Sequence, residues 1–378
     1  MRTLINFSTL KSGGGQNVAL NFLTEFINKF SKCDNYYFFV ARNSDIHYFL
    51  ISKNQTNYIV LPGNPLKRIL YEIFLSRAVL KKLNIDIIYS YFGFGLFPKK
   101  YLQITGSVDS NLYYPEIDFW KGNKGLKLWT KNIIDRYRVY GVKRCSAIIF
   151  ENKILEDKYH LLFKKSKPTT TIFPSISVDY PTVQYQIPII KSGISKIGLF
   201  LCGWHYNKNV MIIPEIAYSL KKSNIPFHFI LSAPLDGSRM HIKFNKLVKK
   251  LDVAEMISVI GQVKKEMLAS LYHQIDFVFL LSKLESFSNN IIEAFYFKKP
   301  LIVSDEPWSH YICGKAAHYV ERDNPVQIAS KIAELIDNPG LISTNACMGL
   351  QELKKYPSVE EKMNLEFSFI RQVYEGYN

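Results

Sequence analysis

The stretch FVFLLSKLESFSNNIIEA, residues 277–294, carries the clearest structural pattern in this sequence. Its first residues, Phe277–Leu281, are apolar and β-prone, which is typical of a short buried strand. From Asn290 onward the apolar residues recur at helical spacing, so we predict a helix after a short polar loop. Glu285 therefore lies in the loop after a strand, and Glu293 lies early in the following helix.

The same strand–helix alternation runs along the whole chain, in two series. A stretch from Pro168 to Ser195, with four prolines and no clear periodicity, separates them and is typical of a linker. Two such series predict an α/β protein with two parallel, Rossmann-like sheets that carry helices on both faces. We place the first domain at residues 1–175, a linker at 176–195, the second domain at 196–357 and a C-terminal helix at 358–378. Ligands in such sheets bind where strands end, and two facing domains create a cleft there.

Composition limits the class of protein. The chain has 378 residues, 47% of them hydrophobic and 21% charged, which is typical of folded domains. It contains no run of eighteen apolar residues and no hydrophobic signal core at its start, so we expect neither a membrane span nor a signal peptide. The five cysteines are scattered without a CxxC pair, which argues against a disulfide framework or a zinc site. We therefore expect a reduced, cytoplasmic protein.

The positive charge is concentrated in the first half. Residues 1–180 contain 26 Lys and Arg against 13 Asp and Glu, whereas residues 181–378 contain 22 against 19. The basic half should face an anionic partner. The helical pattern Leu66–Leu83 and the aromatic and basic stretch Phe119–Arg144 suit docking on an anionic bilayer. The alternative for these residues is an ordinary basic surface with buried tryptophans.

Glu285 and Glu293 flank a predicted helix N-terminus, whose free N–H groups suit phosphate. Carboxylates on either side of phosphate have natural partners in sugar and ribose hydroxyls, since a carboxylate accepts two hydroxyl hydrogen bonds. The alternative is a solvated loop residue and a helix-surface residue. Glu293, however, lies among the apolar residues Ile291, Ile292 and Phe295, an unusual setting for a surface charge.

Three segments in this order resemble the signature of GT-B retaining glycosyltransferases of family 4, the "group 1" family: Ser282-x-x-Glu285-x-Phe287-x-Asn289-x-x-x-Glu293-Ala294, KPLIVSD at 299–305, and Gly314-x-Ala316-Ala317. The resemblance implies two Rossmann-like domains facing across a cleft and a C-terminal helix that returns to the first domain. It implies transfer of a sugar from a nucleoside diphosphate sugar. Glu285 would contact the transferred sugar and Glu293 the ribose hydroxyls.

The resemblance extends to other loops. It implies that Lys208, in the loop GWHYNKN at 203–209, contacts the diphosphate and acts with Glu285 in catalysis, although Trp204 stands where the family usually has an Arg. The glycines at 13–15 match the loop that approaches donor phosphate and acceptor, and Gly261–Val263 matches the loop that meets the base. The implied donor-binding residues are thus Glu293, Gly14, Gly15, Gly203, Trp204, Asn209, Val263, Phe287, Ser288, Asn289 and Asn290.

Two departures concern the sugar side. The family commonly has a His after a central strand of the first domain, but the corresponding region Gln103–Glu116 contains none. Ser107 and Asp109 are the candidates to replace it as an acceptor-side or sugar-side residue. The Glu that often precedes the Gly-x-Ala-Ala segment is replaced by Tyr311. These departures leave the identity of the sugar open.

The sequence thus predicts a hexosyltransferase that needs no metal or cofactor and uses a UDP- or GDP-linked donor. The predicted acceptor is a lipid-linked saccharide or polysaccharide in the synthesis of O-antigen, capsule or lipopolysaccharide. We expect the protein to lie peripherally on the inner face of the cytoplasmic membrane. The alternatives are a non-catalytic GT-B scaffold subunit and a nucleotide-sugar epimerase of the same fold. A nucleic-acid-binding protein would leave the glutamate pair unused, and no recognition motif for nucleic acid is present.

Overall fold

The computed structural model describes residues 1–11, 14–30, 35–164, 167–176, 180, 183–186 and 196–377. The chain forms two compact units. The first comprises residues 1–116, 123–177 and 357–378, and the second comprises residues 117–122 and 178–356. Most of the predicted linker, 176–195, lies outside the described residues, as does Gly13.

The first unit is built on a seven-stranded parallel sheet in the order β3-β2-β1-β4-β5-β6-β7. Its strands are β1 Thr3–Asn6, β2 Tyr36–Ala41, β3 Tyr58–Leu61, β4 Ile87–Ser90, β5 Leu102–Ser107, β6 Ala147–Phe150 and β7 Thr169–Thr171. Its helices are α1 Gly14–Phe30, α2 Asp45–Ser52, α3 Pro65–Leu70, a π-helix at Tyr71–Leu75, α4 Ser76–Lys82, α5 Gly125–Arg144, α6 Lys153–Phe163 and α14 Val359–Glu375.

The C-terminal helix α14 packs against α1 within this unit. Phe367 contacts Phe22 and Phe26 through ring-to-ring distances of 6.1 and 5.9 Å. Beneath this contact Lys362 is buried and its Nζ lies 2.9 Å from Oε1 of Glu151, which directly follows β6. A buried ion pair of this kind is strongly destabilising when one partner is removed, so α14 is an integral part of the first unit.

The second unit contains a six-stranded parallel sheet in the order β10-β9-β8-β11-β12-β13. Its strands are β8 Lys196–Phe200, β9 Phe227–Leu231, β10 Ile257–Val259, β11 Phe277–Leu280, β12 Leu301–Ser304 and β13 His318–Val320. Its helices are α7 Ile213–Lys222, α8 Arg239–Lys250, α9 Leu268–Gln274, α10 Asn289–Tyr296, α11 Pro307–Cys313, α12 Pro325–Asp337 and α13 Pro339–Leu353.

Both sheets are parallel throughout, which confirms the predicted class of two Rossmann-like domains. Strands β8 and β11 are fully covered on both faces, because their residues from Ile197 to Phe200 and from Phe277 to Leu280 are buried. Apolar runs of this kind are typical of parallel strands. Within the described part of the chain, no helix is long and apolar enough to cross a membrane.

Candidate active site

The candidate site lies at the point in the second sheet where the strand order reverses. Strands β9 and β10 extend the sheet on one side of β8, and β11, β12 and β13 extend it on the other side. In open α/β sheets the crevice at such a point, outside the carboxyl ends of the strands, is where ligands bind. The loops after β8 and β11 meet at this point, and they carry the predicted residues Lys208 and Glu285.

Lys208 and Glu285 form an ion pair across the two loops. The lysine ends a short 3₁₀ helix, Tyr206–Lys208, and its Nζ lies 2.5 Å from Oε1 of Glu285. The side chains are 27% and 11% exposed, so both residues are largely buried. Burial alone would lower the pKa of Lys208, but the adjacent Glu285 carboxylate more than offsets this and the pKa is raised. Lys208 is therefore a stable cation.

Asn207 holds the two loops together. Its side-chain Nδ2 donates to the carbonyl of Leu284 at 2.7 Å, and its Oδ1 accepts the Leu284 N–H at 3.0 Å. Its own carbonyl accepts the Lys283 N–H at 2.8 Å. These bonds fix the spacing between Lys208 and Glu285. The sequence reasoning missed Asn207, because one more polar residue in a loop gives no signal of its own.

Helix α10 starts four residues after Glu285. Its N-cap residue, Ser288, is buried but makes no capping hydrogen bond through its side chain. Asn290 donates from Nδ2 to the carbonyl of Leu201 at 2.9 Å, which ties the first turn of α10 to the end of β8. The N–H groups of Asn289 and Asn290 and the positive end of the helix dipole thus face the switch point, where they suit a phosphate.

Glu293 lies one turn further along α10 and is only 6% exposed. The hydroxyl of Tyr272, on α9, donates to its Oε2 at 2.8 Å. Burial raises the pKa of Glu293 to about 7, and the Tyr272 hydrogen bond and the charge of Lys265 offset only part of that effect. A ligand hydroxyl that donates to this carboxylate would stabilise its ionised form. Tyr272 was not anticipated, since nothing in the sequence links it to Glu293.

Trp204 and Asn209, both in the loop after β8, contact residues elsewhere in the second unit. The indole Nε1 of Trp204 donates to the carbonyl of Pro234 at 2.6 Å, and its ring stacks on His241 with centroids 5.0 Å apart. Asn209 adopts a left-handed conformation and donates from Nδ2 to the carbonyl of Arg322 at 2.7 Å. Trp204 therefore packs against α8, and the cation that this loop presents is Lys208.

Three further predicted donor-binding residues of the second unit are Gly203, Val263 and Phe287, and they differ in what they contact. A Cβ added at Gly203 would meet no atom within 4 Å, so no neighbouring side chain requires a glycine there. The Val263 N–H donates to Oγ of Ser232 at 3.3 Å, which anchors the predicted base loop to the end of β9. The ring of Phe287 contacts that of Tyr356 at 5.6 Å. The Cβ position of Gly203 thus faces open space, while Val263 and Phe287 hold their loops in place.

Cys202 lies close to the ion pair but is not a nucleophile candidate. Burial raises its pKa to about 12, with Lys208 lowering and Glu285 raising it as smaller contributions. The thiol is therefore neutral at physiological pH, and a neutral thiol is a weak nucleophile. Among the residues that the structure describes, no cluster of three or more His, Cys, Asp or Glu side chains could hold a metal ion.

The predicted glycines of the first unit open a helix. Gly14 and Gly15 form the first turn of α1, directly after the loop that follows β1. A Cβ at Gly14 would meet no atom within 4 Å, and one at Gly15 would be in ordinary contact with Leu10 and Phe92. The backbone at Gly14 is thus open to close approach by a ligand, which is the use the sequence suggested.

Ser107 and Asp109 are both engaged within the first unit. Ser107 is the last residue of β5, is 2% exposed, and its hydroxyl lies 2.6 Å from that of Tyr113. Asp109 pairs with Arg138, with Oδ1 and NH1 3.4 Å apart. Burial raises the pKa of the Asp109 carboxyl, and Arg138 lowers it by less. Of the two, Asp109 is the better candidate for a ligand contact, because Ser107 has no open surface.

Comparisons with known proteins agree with this architecture. Residues 198–349 match the family model described as "Glycosyl transferases group 1". No curated protein sequence matches the chain significantly. Sucrose-phosphate synthase from Thermosynechococcus elongatus has a similar structure, with a TM-score of 0.74, 14% identity and 100% coverage of both chains.

Two further solved structures are similar over nearly the whole chain. HepE from Anabaena, in complex with UDP and glucose, has a TM-score of 0.69 and 12% identity and covers 98% of this chain and 99% of its own. The lipopolysaccharide outer core galactosyltransferase WaaB, in its apo form, has a TM-score of 0.67 and 12% identity with the same coverage. At these identities the likeness shows the fold. The chain therefore has the GT-B fold, and residues 198–349, which carry the candidate site, match the glycosyl transferases group 1 family.

Proposed function

We propose that this protein is a retaining glycosyltransferase of family 4 that transfers a hexose from a nucleoside diphosphate sugar. One observation carries the proposal. The Lys208–Glu285 ion pair lies at the strand switch point, in the loops that lead to the N-terminus of α10 and its buried Glu293, and residues 198–349 match the group 1 family. A cation, helix N–H groups and two carboxylates are the groups that a sugar nucleotide needs.

In the proposed complex each group meets one part of the donor. The diphosphate lies against Lys208 and the first turn of α10, where charge-assisted hydrogen bonds are strongest. The ribose hydroxyls donate to Glu293. When Lys208 turns to the diphosphate, Glu285 loses its partner and accepts hydroxyls of the sugar. Each charge of the Lys208–Glu285 pair thus exchanges its present partner for a group of the donor.

The reaction breaks the bond between the anomeric carbon and the diphosphate oxygen and forms a bond from that carbon to an acceptor hydroxyl oxygen. The hydroxyl proton leaves with the nucleoside diphosphate or passes to solvent. Negative charge develops on the departing diphosphate, and Lys208 and the α10 N–H groups are positioned to stabilise it without reorganisation. We propose that this stabilisation replaces a metal ion and that the anomeric configuration is retained.

The similar proteins suggest which donor and acceptor to test first. HepE was solved with UDP and with UDP-glucose, and WaaB is a galactosyltransferase of the lipopolysaccharide outer core. We therefore propose a UDP-hexose donor, with GDP-linked sugars as the second choice. The proposed acceptor is a lipid-linked saccharide or polysaccharide of a cell-surface glycan such as O-antigen, capsule or lipopolysaccharide. The enzyme would work at the inner face of the cytoplasmic membrane.

The test is thermal-shift binding with UDP, GDP, ADP and their hexose conjugates, with the Glu293→Ala variant as control. Stabilisation by one nucleotide, reduced in the variant, supports the donor site. Product analysis with the preferred donor follows, with and without EDTA and with the anomeric configuration determined by NMR. Binding without turnover on any acceptor would favour a scaffold subunit, and conversion of donor alone into another nucleotide sugar would favour an epimerase. Absence of binding to every nucleotide would refute the proposal.

A further inference from the structure

The helical segment from Pro65 to Lys82 buries charged side chains and exposes apolar ones. Arg68 and Glu72 are 8% and 0% exposed, and Nε of Arg68 lies 3.2 Å from Oε1 of Glu72. A surface helix ordinarily turns its apolar stripe inward and its charges outward. Here large apolar side chains that are 42–73% exposed lie on the outer face: Leu66, Leu70, Ile73, Phe74 and Leu75.

The buried polar face is held in this orientation by several hydrogen bonds. NH1 of Arg68 donates to the carbonyl of Ser8 at 3.3 Å, and Oε2 of Glu72 accepts the Leu96 N–H at 2.9 Å. The guanidinium of Arg68 also lies near the hydroxyl of Tyr137 on α5, whose pKa it lowers against the larger effect of burial. Rotating the segment to bury its leucines would break these bonds and leave a buried charge unpaired. The outward apolar face is therefore a fixed feature of the first unit.

Helix α5 continues this face. Leu126, Trp129 and Ile133 lie at helical spacing on the side of α5 that carries Tyr137, and they are 76%, 61% and 42% exposed. Only Gly141 and Val142 of the whole helix are buried. The sequence had left open a basic surface with buried tryptophans, and that alternative is wrong for Trp129. Segment 65–82 and α5 therefore each present exposed apolar side chains at the surface of the first unit.

The charges around this surface indicate what covers it. The segment 65–82 contains five Lys or Arg residues against Glu72 alone, and α5 contains six against Asp135 alone. An occupant must accept apolar side chains and neutralise a dense positive charge at once. The surface of a bilayer with anionic headgroups does both, whereas an apolar partner surface would neutralise nothing.

We propose that segment 65–82 and the first turns of α5 form a membrane-docking surface, which inserts Leu70, Phe74, Leu126 and Trp129 among the acyl chains of anionic lipids. Lys67, Arg77, Lys81 and Lys127 would contact the headgroups. The inference rests on the proposed function only for the biological role of docking, since a lipid-linked acceptor would lie in that membrane. The geometry of the surface is independent of the donor site.

The test is co-sedimentation of the full chain with phosphatidylcholine vesicles that contain or lack phosphatidylglycerol, at low and high salt. We expect binding to require the anionic lipid and to persist in part at high salt, because inserted side chains are not screened. Phe74→Ser or Trp129→Ser should each weaken binding about tenfold, and the double variant about a hundredfold. Leu161→Ser is the matched control, since Leu161 is 72% exposed on α6 of the same unit.

Two results would overturn the inference. One is vesicle binding that the double variant leaves unchanged. The other is a dimer of the wild-type chain that the double variant abolishes without lipid, which would show that a second copy covers the surface. Thermal-shift binding of the donor nucleotide is measured on every variant and should not change. Vesicle binding by a chain that binds no nucleotide would leave the docking surface standing while refuting the proposed function.

Discussion

Replacing Glu293 by Gln tests the donor site most directly, because it removes one ionisable group and keeps the side chain's shape. The Gln carbonyl can still accept the hydroxyl of Tyr272, which donates to Oε2 of Glu293 at 2.8 Å in the wild type. The variant should therefore keep the packing of α10 against α9. What it loses is the negative charge, and the consequences of that loss depend on pH.

The expected effect on stability follows from the pKa. Burial raises the pKa of Glu293 from 4.5 to about 7 in the folded protein, whereas an unfolded chain keeps the lower value. Between these values the folded protein binds more protons than the unfolded one, so the free energy of unfolding falls as pH rises. One pKa unit corresponds to about 1.4 kcal/mol, so Glu293 costs the wild type about 3 kcal/mol by pH 7. The Glu293→Gln variant should not show this loss.

The effect on donor binding has the opposite sign. If ribose hydroxyls donate to the Glu293 carboxylate, the donor binds the ionised form, and its affinity should rise about tenfold per pH unit below 7 and level off above it. A nucleotide sugar is the ligand to use, since its two phosphates carry no proton in this range. In Glu293→Gln the affinity should be lower at pH 8 and independent of pH.

The assay is denaturant unfolding and calorimetric binding of the preferred nucleotide sugar at intervals from pH 5 to pH 8, on both proteins. Glu366 in the first unit also has a pKa raised by burial to about 7, so the wild-type curve contains its contribution too. The difference between wild type and variant isolates Glu293. Parallel stability curves would show that Glu293 titrates normally, and equal pH dependence of binding would show that its carboxylate does not meet the donor.

Other perturbations test the rest of the architecture. Lys208→Ala should lower kcat by about 10²–10³, since it removes stabilisation of the leaving diphosphate; Lys208→Arg, measured in the same turnover assay, should restore part of it. Asn207→Ala should cost about 1–3 kcal/mol in denaturant unfolding and lower kcat as well, because a buried carbonyl and N–H of the loop after β11 lose their partners. Lys362→Met should destabilise the first unit by about 3–5 kcal/mol, because Glu151 and Glu366 stay buried without a counter-charge. Unchanged stability in that variant would show that the pair is not needed to hold α14.

The second domain was largely predictable because its signals are local. The apolar run at 277–281 gave strand β11 at Phe277–Leu280, and the start of α10 at Asn289 matches the predicted position. Strand β5, Leu102–Ser107, was not anticipated, because Gln103, Thr105 and Gly106 interrupt its apolar pattern. Tertiary burial on both faces outweighs weak local propensity there.

Two features of the first unit could not be predicted from local sequence patterns. Helix α1 begins at Gly14, within the glycine stretch that the resemblance assigns to a loop, because its glycines favour a loop locally but adopt helical geometry in the fold. The apolar residues of segment 65–82 recur at helical spacing, but this spacing does not show whether the apolar or the polar face is buried. Only the partners of Arg68 and Glu72 decide that, and they come from distant parts of the chain.

The contacts of Trp204 explain why Lys208 should contribute more to catalysis here than a lysine would in a site with two cations. In the family that the sequence resembles, an Arg occupies the position of Trp204. The indole of Trp204 is instead held by Pro234 and His241, and it adds no charge. A diphosphate that loses its sugar gains negative charge, which Lys208 and the N–H groups of α10 must then share. Glu285 neutralises Lys208 in the ion pair, so a diphosphate that engages the lysine has to break this pair. The sugar hydroxyls can compensate Glu285 for that loss, whereas a bare nucleoside diphosphate cannot. The intact donor should therefore bind more tightly than its product diphosphate, and Glu285→Gln should reverse that order in calorimetric titrations.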